Sequence, residues 1–220
     1  MDPFPTMAAA WPLFGLTLRT ERLDLRIPAD PELVDLVAAI GLGIVGDEPY
    51  PMSGRWVDEP EPQRTWNALA FHWRCRAGIT ADDFNLVFGV FLDGQPIRTQ
   101  DIGASNFLRL RGVGTGSWIA KPWQGNGYAR EMRAAVLALG FERLGATHAT
   151  SSARNTTEKS IRVSLGLGYR ENGRLPFLFG DEVGEDVRFR IDRADWDAIP
   201  DRPAVEITGW DACAPFFEPS

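Results

Sequence analysis

A glycine-containing turn between an apolar run and a helical pattern is the segment of this chain best suited to chemistry. Glycines allow successive backbone N–H groups to point in one direction, and the N-terminus of a helix adds about half a positive charge at the same place. We therefore expect the turn to bind a phosphate group. It consists of Gln124, Gly125, Asn126, Gly127, Tyr128, Ala129 and Arg130, and it follows the short run Ser117, Trp118, Ile119 and Ala120.

The spacing of this turn excludes two common nucleotide loops. No Gly-Lys-Ser/Thr sequence follows, as a Walker loop would require, and the dinucleotide fingerprint G-x-G-x-x-G is incomplete. The pattern Gln-x-x-Gly-x-Ala resembles instead the pyrophosphate loop of the GNAT acyltransferases, which bind acyl-coenzyme A. The resemblance implies that the amides from Gly125 to Arg130 bind the pyrophosphate and that Gln124 supports the turn. The Arg130 side chain either adds a charge-assisted contact or faces solvent.

Residues on both sides of the turn extend this resemblance, which is clear over residues 85–175. Gly116 to Ile119 and Pro122-Trp123 resemble the strand and the lead-in before the loop, and Glu131 to Ala135 resemble the helix after it. Asn155, Ser160 and Leu167-Gly168-Tyr169 resemble the closing segment of the ribosomal-protein N-acetyltransferase branch. The two ends of the chain, at residues 11–14 and 213–217, resemble a GNAT-fold succinyl-CoA transferase.

The resemblance implies that a primary amine of a small molecule or a protein attacks an acyl-CoA thioester directly. The strand residues Trp118, Ile119 and Ala120 would pair with the pantetheine arm, and a backbone N–H near Ile119 would polarise the thioester carbonyl. Ser160 would protonate the departing thiolate or position the sulfur, because Ser164 stands where many relatives carry a tyrosine. Asn155 would contact the pantetheine, although it precedes Ser160 by two residues more than is usual.

The donor and the acceptor leave alternatives open. Acetyl-CoA is the expected donor, and succinyl-CoA is the alternative, whose free carboxylate would need Arg98, Arg55 or Arg74. The long loop at residues 44–62 places Tyr50, Met52 and Trp56 in the acceptor pocket, or these residues pin the loop to the core. No general base stands out; the candidates are Glu21, Asp47 and Glu48, and attack by an amine that arrives neutral is equally tenable. A non-catalytic acyl-CoA sensor is the alternative from a different class.

Strand and helix patterns alternate along the elements that must position these residues. Strands are predicted at 16–27, 85–92, 97–107, 117–120, 147–152 and 188–191, with a hairpin around Asp93-Gly94-Gln95-Pro96 between the second and the third. Helices are predicted at 30–40, 62–76 and 156–165, and a further helical pattern opens in the glycine turn and continues to Leu144. In the helix after the turn, the apolar stripe consists of Met132, Ala135, Val136, Leu139 and Leu144, with Arg130, Arg133, Glu142 and Arg143 on the other side.

Together with this pattern, the resemblance implies an α/β fold with a mixed sheet (α+β). It implies the GNAT fold, with a central, mostly antiparallel twisted sheet that is splayed between its fourth and fifth strands and flanked by helices. We expect an N-terminal arm at 1–15, the acyltransferase domain at 16–193 and a tail at 194–220. The tail would dock on the core or on a second subunit, which makes a homodimer an expected partner.

The composition of the chain narrows the class of protein further. With 220 residues, 44% apolar content and a net charge of −7, the chain can bury one core and lacks the basic footprint of a nucleic-acid binder. Cys75 and Cys213 show no paired motif, and His72 and His148 show no metal-ligand spacing, so we expect neither a disulfide nor a metal, and a cytoplasmic location. No apolar run approaches the ~20 residues of a membrane span.

Overall fold

A sheet of nine strands runs through the part of the chain that the computed structural model describes, which is residues 4–39, 59–119, 121–179 and 182–219. Its strands are β1 Thr17–Arg19, β2 Asp24–Arg26, β3 Phe84–Leu92, β4 Gln95–Ala104, β5 Gly112–Ile119, β6 His148–Arg154, β7 Arg170–Phe179, β8 Glu182–Asp192 and β9 Glu206–Thr208. The helices are α1 Met7–Ala10, α2 Asp30–Ala38, α3 Gln63–Ala77, α4 Phe107–Leu110, α5 Tyr128–Ala138, α6 Glu158–Gly166, α7 Arg193–Asp197 and α8 Trp210–Cys213. A π-helical segment, Leu139–Leu144, continues α5.

The sheet is splayed between β5 and β6. The strand order is β7-β8-β6-β5-β4-β3-β2-β1-β9, and β5 with β6 is the parallel pair. These two strands pair only where Gly112 to Gly114 lie beside His148 to Thr150. On its other side, β5 stays paired with β4 as far as Ile119. Residues 115–119 of β5 therefore have one edge that no strand of the described residues covers. The predicted mixed, splayed fold is confirmed.

The splay lies one strand later in the count than expected, because residues 16–27 do not form one strand. They form a hairpin in which β1 and β2 pair, with Leu18 opposite Leu25 in the core. The Thr20 N–H donates to the Leu23 carbonyl at 2.9 Å, and the Leu23 N–H donates to the Thr20 hydroxyl at 3.0 Å. The prediction of a single strand here was wrong, since alternating apolar residues do not reveal a tight turn between two short strands.

The β3–β4 hairpin agrees with its sequence signal. Its turn contains Asp93 and Gly94, whose φ angles are 49° and 79°. Two successive positive φ angles match the twist of the flanking strands, and Asp-Gly is a preferred pair for such a turn.

The two faces of the sheet pack against different helices. The main core lies between the sheet and α5, and it includes Val113 of β5 and Ile102 of β4. A smaller core on the opposite face joins Trp118 to Leu36 of α2 and Ala68 of α3. Because side chains alternate along a strand, residues 112, 114 and 116 belong to the second face. β5 thus presents its glycines toward the side of α2 and α3.

Helix α5 is buried on more than one side. The predicted apolar stripe is buried, and Glu142 and Arg143 are exposed as expected. Arg133, which the pattern groups with these polar residues, is only 4% exposed, and its Nη1 donates to the Ser164 Oγ of α6 at 2.8 Å. Helix α6 packs on a face that the pattern of α5 alone assigns to solvent.

The C-terminal residues pack on the same core. Trp196 is fully buried and stacks on Phe141, with 5.8 Å between ring centroids. Phe217 contacts Phe84 at a centroid distance of 5.2 Å, and β9 pairs with β1 at the end of the sheet. The predicted domain boundaries stay a prediction. Among the described residues, no helix is long and apolar enough to cross a membrane.

Candidate active site

Unpaired backbone amides line the glycine turn ahead of α5. Gly125 and Gly127 have φ angles of 86° and 81°, a left-handed conformation that glycine adopts without a steric cost. Gly127 is the N-cap residue of α5, and its carbonyl accepts the Arg130 N–H at 3.1 Å. Within the described part of the chain, the N–H groups of residues 125–129 make no hydrogen bond. The turn therefore offers a row of donors at the positive end of a helix dipole.

Arg22 holds this turn in place from the β1–β2 hairpin. Its Nη1 donates to the Asn126 carbonyl at 3.1 Å, and its Nε donates to the Glu131 carboxylate at 2.8 Å. Its guanidinium also lies 4.7 Å from the centre of the Tyr128 ring. Glu131 accepts further hydrogen bonds from the Arg22 N–H, at 3.1 Å, and from the Thr20 hydroxyl, at 2.5 Å.

The sequence interpretation missed this clamp, because residues 16–27 were predicted only as a strand. The signal was Glu131 in the first turn of a helix beside the expected phosphate site, because a cation that pairs with this carboxylate lowers its repulsion of the phosphate. Its source could not be read locally, since Arg22 and Glu131 are far apart in the sequence.

Helix α6 also contacts the turn. The Lys159 ammonium donates to the Gln124 amide oxygen at 3.4 Å, and the Arg130 Nε donates to the Gly166 carbonyl at 3.4 Å. Of the two roles considered for Arg130, the structure shows a side chain directed at the end of α6. The turn, α5 and α6 thus border the open edge of β5 together.

Side chains of β4 reach the backbone of β5 inside the splay. The Gln100 Nε2 donates to the Gly116 carbonyl at 2.8 Å, and the Arg98 Nε donates to the Trp118 carbonyl at 3.1 Å. The Gly116 N–H donates to the Asp101 carboxylate. The Trp118 side chain packs in the small core, as expected. The role of the N–H near Ile119 stays a prediction.

Two buried arginines lie beside the splay without a carboxylate partner among the described residues. Arg98 and Arg133 are 3% and 4% exposed. Burial lowers the pKa of both guanidinium groups, and the positive charge of Arg133 lowers that of Arg98 further. Among described atoms, Arg98 Nη1, Gln100 Oε1 and Arg133 Nε are buried and lack a hydrogen-bond partner. Buried polar atoms are nearly always satisfied in native proteins, so these atoms suit a polar ligand arm.

Ser160 and Asn155 lie on the β6–α6 side of the splay. Ser160 is half-buried in the first turn of α6, and its hydroxyl makes no hydrogen bond to any described residue. Its backbone carbonyl accepts the Ser164 hydroxyl at 3.3 Å. Asn155 is exposed, and its N–H donates to the Glu185 carbonyl of β8 at 2.9 Å. The structure thus leaves the Ser160 hydroxyl available and anchors Asn155 by its backbone.

A groove of about 580 Å³ opens on the face of α2 and α3, where β5 and β6 begin to part. Among its lining residues are Asp101, Gly103, Gly112, Gly114, His148 and Thr150. Burial raises the pKa of Asp101, while the Gly116 N–H and Arg133 oppose that shift. Burial lowers the pKa of His148, and Arg190 lowers it further. The sequence interpretation missed the groove; the signal was the alternation of glycines at 112, 114 and 116, which leaves one face of a strand bare.

Several predicted site residues lie in parts of the chain that the structure does not describe. Ala120, Tyr50, Met52 and Trp56 lie outside the described residues, as do Arg55, Asp47 and Glu48. Of the other residues considered, Arg98 is buried on the α5 side of the sheet, whereas Arg74 and Glu21 are exposed. The described residues contain no group of three or more His, Cys, Asp and Glu side chains that could hold a metal ion.

A mixed sheet that splays beside a glycine turn, with free amides at the start of the next helix, defines an acyltransferase that uses a coenzyme A thioester. A family model described as an acetyltransferase (GNAT) domain matches residues 22–170, which is more than half of the chain. The chain therefore belongs to the GNAT acetyltransferase family, and the resemblance stated from its motifs is confirmed.

Solved structures share this fold. RimJ of Mycobacterium smegmatis, in complex with a CoA disulfide, is 22% identical with a TM-score of 0.66, over 87% of this chain and 91% of that chain. RimL, a ribosomal alpha-N-protein acetyltransferase in complex with coenzyme A, is 12% identical with a TM-score of 0.64, over 79% and 95%. The microcin C7 self-immunity acetyltransferase MccE, in complex with acetyl-CoA and AMP, is 11% identical with a TM-score of 0.64, over 78% and 93%.

Proposed function

We propose that the protein is an N-acyltransferase that transfers an acetyl group from acetyl-CoA to a primary amine by direct attack on the thioester. The observation that carries this proposal is the row of amides at residues 125–129, which make no hydrogen bond to any described residue and lie at the N-terminus of α5. Backbone donors and the helix dipole both favour a pyrophosphate at this point. The uncovered edge of β5 begins close by and gives an extended ligand arm a strand with which to pair.

The residues of this chain divide into those that hold the coenzyme and those that act on the thioester. The amides of the turn, with Gln124 and Arg130 at its ends, hold the pyrophosphate. The backbone of Trp118, Ile119 and Ala120 holds the pantetheine arm, and Asn155 contacts it from the other side. Acetyl-CoA, when bound, supplies the activated acyl group, and an N–H near Ile119 stabilises the oxyanion that develops on attack.

Ser160 is the residue that we assign to the leaving group. As the amine nitrogen forms its bond to the carbonyl carbon, the carbon–sulfur bond breaks and the thiolate needs a proton. The Ser160 hydroxyl is half-buried and has no hydrogen-bond partner among the described residues, so it is free to donate to the sulfur. A hydroxyl that takes no part in this step would leave turnover unchanged in a Ser160→Ala variant.

A protein amine is the acceptor class that we propose. RimL is an alpha-N-protein acetyltransferase, and RimJ shares the fold over most of this chain. Small-molecule amines are the alternative acceptor. In either case Tyr50, Met52 and Trp56 belong to the proposed acceptor pocket, and an acidic protein with a net charge of −7 favours a cationic acceptor.

Succinyl-CoA is a second candidate donor because of one observation. The Arg98 Nη1 is buried without a partner among the described residues, and the free carboxylate of a succinyl group would satisfy it. Arg98→Met removes the charge and keeps a similar length, so it should weaken succinyl-CoA binding while leaving acetyl-CoA binding within about threefold. Arg74→Met is the matched control, because Arg74 is exposed on α3.

Calorimetric titration with both thioesters, followed by a thiol-release assay, tests the proposal. The amines should include a decapeptide with a free N-terminus, a lysine peptide with a blocked N-terminus, and spermidine. We expect acetyl-CoA to bind and at least one amine to stimulate release of coenzyme A. Binding without release for any amine would favour a non-catalytic sensor. Tighter acetyl-CoA than succinyl-CoA binding would contradict the succinyl alternative, and no binding of either would contradict the proposed site.

A cytoplasmic location and a homodimer complete the proposal. Cys75 and Cys213 are unpaired, which suits a reducing compartment. Leu178 and Val183 on the edge hairpin of β7 and β8 are 62% and 76% exposed, which suits a second copy at that edge. Light scattering after size exclusion would measure the mass in solution, and a monomer at micromolar concentration would contradict the dimer.

A further inference from the structure

The groove on the α2–α3 face is floored by glycines, and the polar groups in it lie directly against the backbone. A Cβ atom at Gly116 would lie 2.9 Å from the Asp101 Oδ1, and one at Gly112 would lie 2.5 Å from the His148 Nε2. Any larger residue at either position would push these side chains away. The bare face of β5 therefore brings Asp101 and His148 into contact with the strand itself.

Asp101 is placed at the point where β5 and β6 part. Gly114 is the last β5 residue that pairs with β6, and the Gly116 N–H donates to the Asp101 carboxylate. At a rise of ~3.3 Å per residue, Gly116 is about 7 Å along the strand from that last pair. His148 lies against Gly112 at the closed end, about 13 Å from Gly116 by the same rise. Asp101 is thus the titratable group of the groove that is nearer the uncovered edge.

The charge environment leaves Asp101 free to accept a proton. It makes no ion pair with any described residue, and the hydrogen bond that it accepts from the Gly116 N–H uses one carboxylate oxygen. The charged and titratable groups that act on it are Arg133 of α5, on the opposite face of the sheet, and the Cys75 thiol of α3. Partial burial makes it a stronger base than a solvent-exposed aspartate, which supports the geometric argument.

The two sides of the sheet separate the two proton transfers. Ser160 lies on α6, which is tied to α5 through the Arg133–Ser164 hydrogen bond. Asp101 opens into the groove on the opposite face. A thioester along the uncovered edge of β5 would have a proton donor on one side and a carboxylate on the other. An amine arriving through the groove would approach the carbonyl carbon from the carboxylate side.

We propose that the amine acceptor enters through the glycine-floored groove and that Asp101 is the general base that removes its proton. This inference rests on the proposed transferase function. The acceptor is a primary amine that arrives as an ammonium ion and loses one proton to Asp101. Asp101 passes this proton to solvent. The nitrogen lone pair then forms the bond to the acyl carbon, and the second proton passes to Asp101 or to solvent as the carbon–sulfur bond breaks. The thiolate takes its proton from solvent or from Ser160, which regains one from solvent, so that one proton is released for each acyl group transferred.

The variant Asp101→Asn tests whether Asp101 is the general base. The amide oxygen can still accept the Gly116 N–H, so the contact between β4 and β5 is kept while the basic group is lost. With the best amine of the peptide and spermidine panel, we expect kcat to fall by about 10²- to 10⁴-fold. The low-pH limb of the kcat profile should disappear, and the acetyl-CoA Kd should stay within about twofold. Asp93→Asn is the matched control, because Asp93 is exposed in a hairpin turn where asparagine is accepted.

Gly114→Val tests entry through the groove by a second route. The nearest atoms to a Cβ at Gly114 are 3.8 Å away or farther, so a side chain fits the fold while filling the groove. The KM for the amine should rise at least tenfold with an unchanged acetyl-CoA Kd. An unchanged amine KM in this folded variant would overturn entry through the groove.

Two results would contradict the assignment of Asp101 as the general base. Both can be distinguished from failure of the proposed transferase function. A normal kcat and pH profile in Asp101→Asn would remove Asp101 from the mechanism, and loss of the low-pH limb in His148→Gln would assign that role to His148. If the wild-type protein binds acetyl-CoA but acetylates no amine, the proposed function fails first, and the inference falls with it.

Discussion

Replacing Gly127 by aspartate should weaken acetyl-CoA binding by about 10²-fold while the protein stays folded. The backbone at Gly127 is left-handed, with φ at 81°, which costs a residue with a side chain about 1 kcal/mol of stability. The new carboxylate would also lie beside the pyrophosphate. At about 5 Å and an effective dielectric constant of ~20, repulsion by one phosphate charge is about 3 kcal/mol, or roughly 10²-fold in Kd.

Arg22 adds to this effect. A Cβ at position 127 would lie 3.5 Å from the Arg22 Nη2, so the aspartate can draw that guanidinium away from Glu131. Movement of Arg22 and repulsion of the phosphate both lower the affinity for acetyl-CoA. Both effects are confined to the glycine turn.

Gly145→Asp is the matched control. Gly145 has φ at 75°, has no other atom within 4 Å of its Cβ position, and ends the helix that Gly127 begins. The backbone penalty is therefore the same, at a distance of about 27 Å for a helix of that length. Calorimetric titration gives the Kd, and thermal unfolding shows equal losses of stability. An acetyl-CoA Kd within threefold of wild type in Gly127→Asp, or an equal loss of affinity in Gly145→Asp, would refute the reasoning.

Three further outcomes follow from single side chains. Ser160→Ala should lower kcat by at least tenfold and leave the acetyl-CoA Kd unchanged, and equal kinetics would remove Ser160 from the chemistry. Glu131→Gln should lower the free energy of unfolding by about 1–3 kcal/mol, because it weakens a buried acceptor of Arg22 and Thr20, whereas exposed Glu142→Gln should change it little. Burial, reinforced by Arg76, lowers the pKa of His72 from 6.5 to about 4, so the unfolded chain binds more protons between these values. The free energy of unfolding should then fall by up to about 3 kcal/mol from pH 6.5 to pH 4, and less in His72→Gln, as urea titrations would measure.

Local sequence signals predicted the features that depend on neighbouring residues. The glycines at 125 and 127 predicted a turn before a helix, and the backbone geometry, with positive φ at both glycines, agrees with it; Asp93-Gly94 predicted the β3–β4 hairpin. The motif resemblance supplied the splay, which no local pattern encodes. The turn that divides residues 16–27 was missed because its Thr20 and Leu23 contacts leave no mark on apolar periodicity.

The remaining features depend on contacts between distant segments. Arg133 belongs to the polar face of α5 by helical periodicity, yet α6 covers that face and buries it. Arg22 reaches Glu131 and the glycine turn only after the sheet has formed. Asp101 lies in an open groove because glycines of β5 pair beside it, and the identity of one residue carries no information about the strand that will flank it.

A crystal structure of the protein with acetyl-CoA would test the central claim most directly. We predict that the pyrophosphate accepts hydrogen bonds from the amides of residues 125–129. The pantetheine arm should lie between β5 and β6, with the thioester near Gly116 and Trp118. Coenzyme bound away from the α5 N-terminus, or a pantetheine arm outside the splay, would contradict the account.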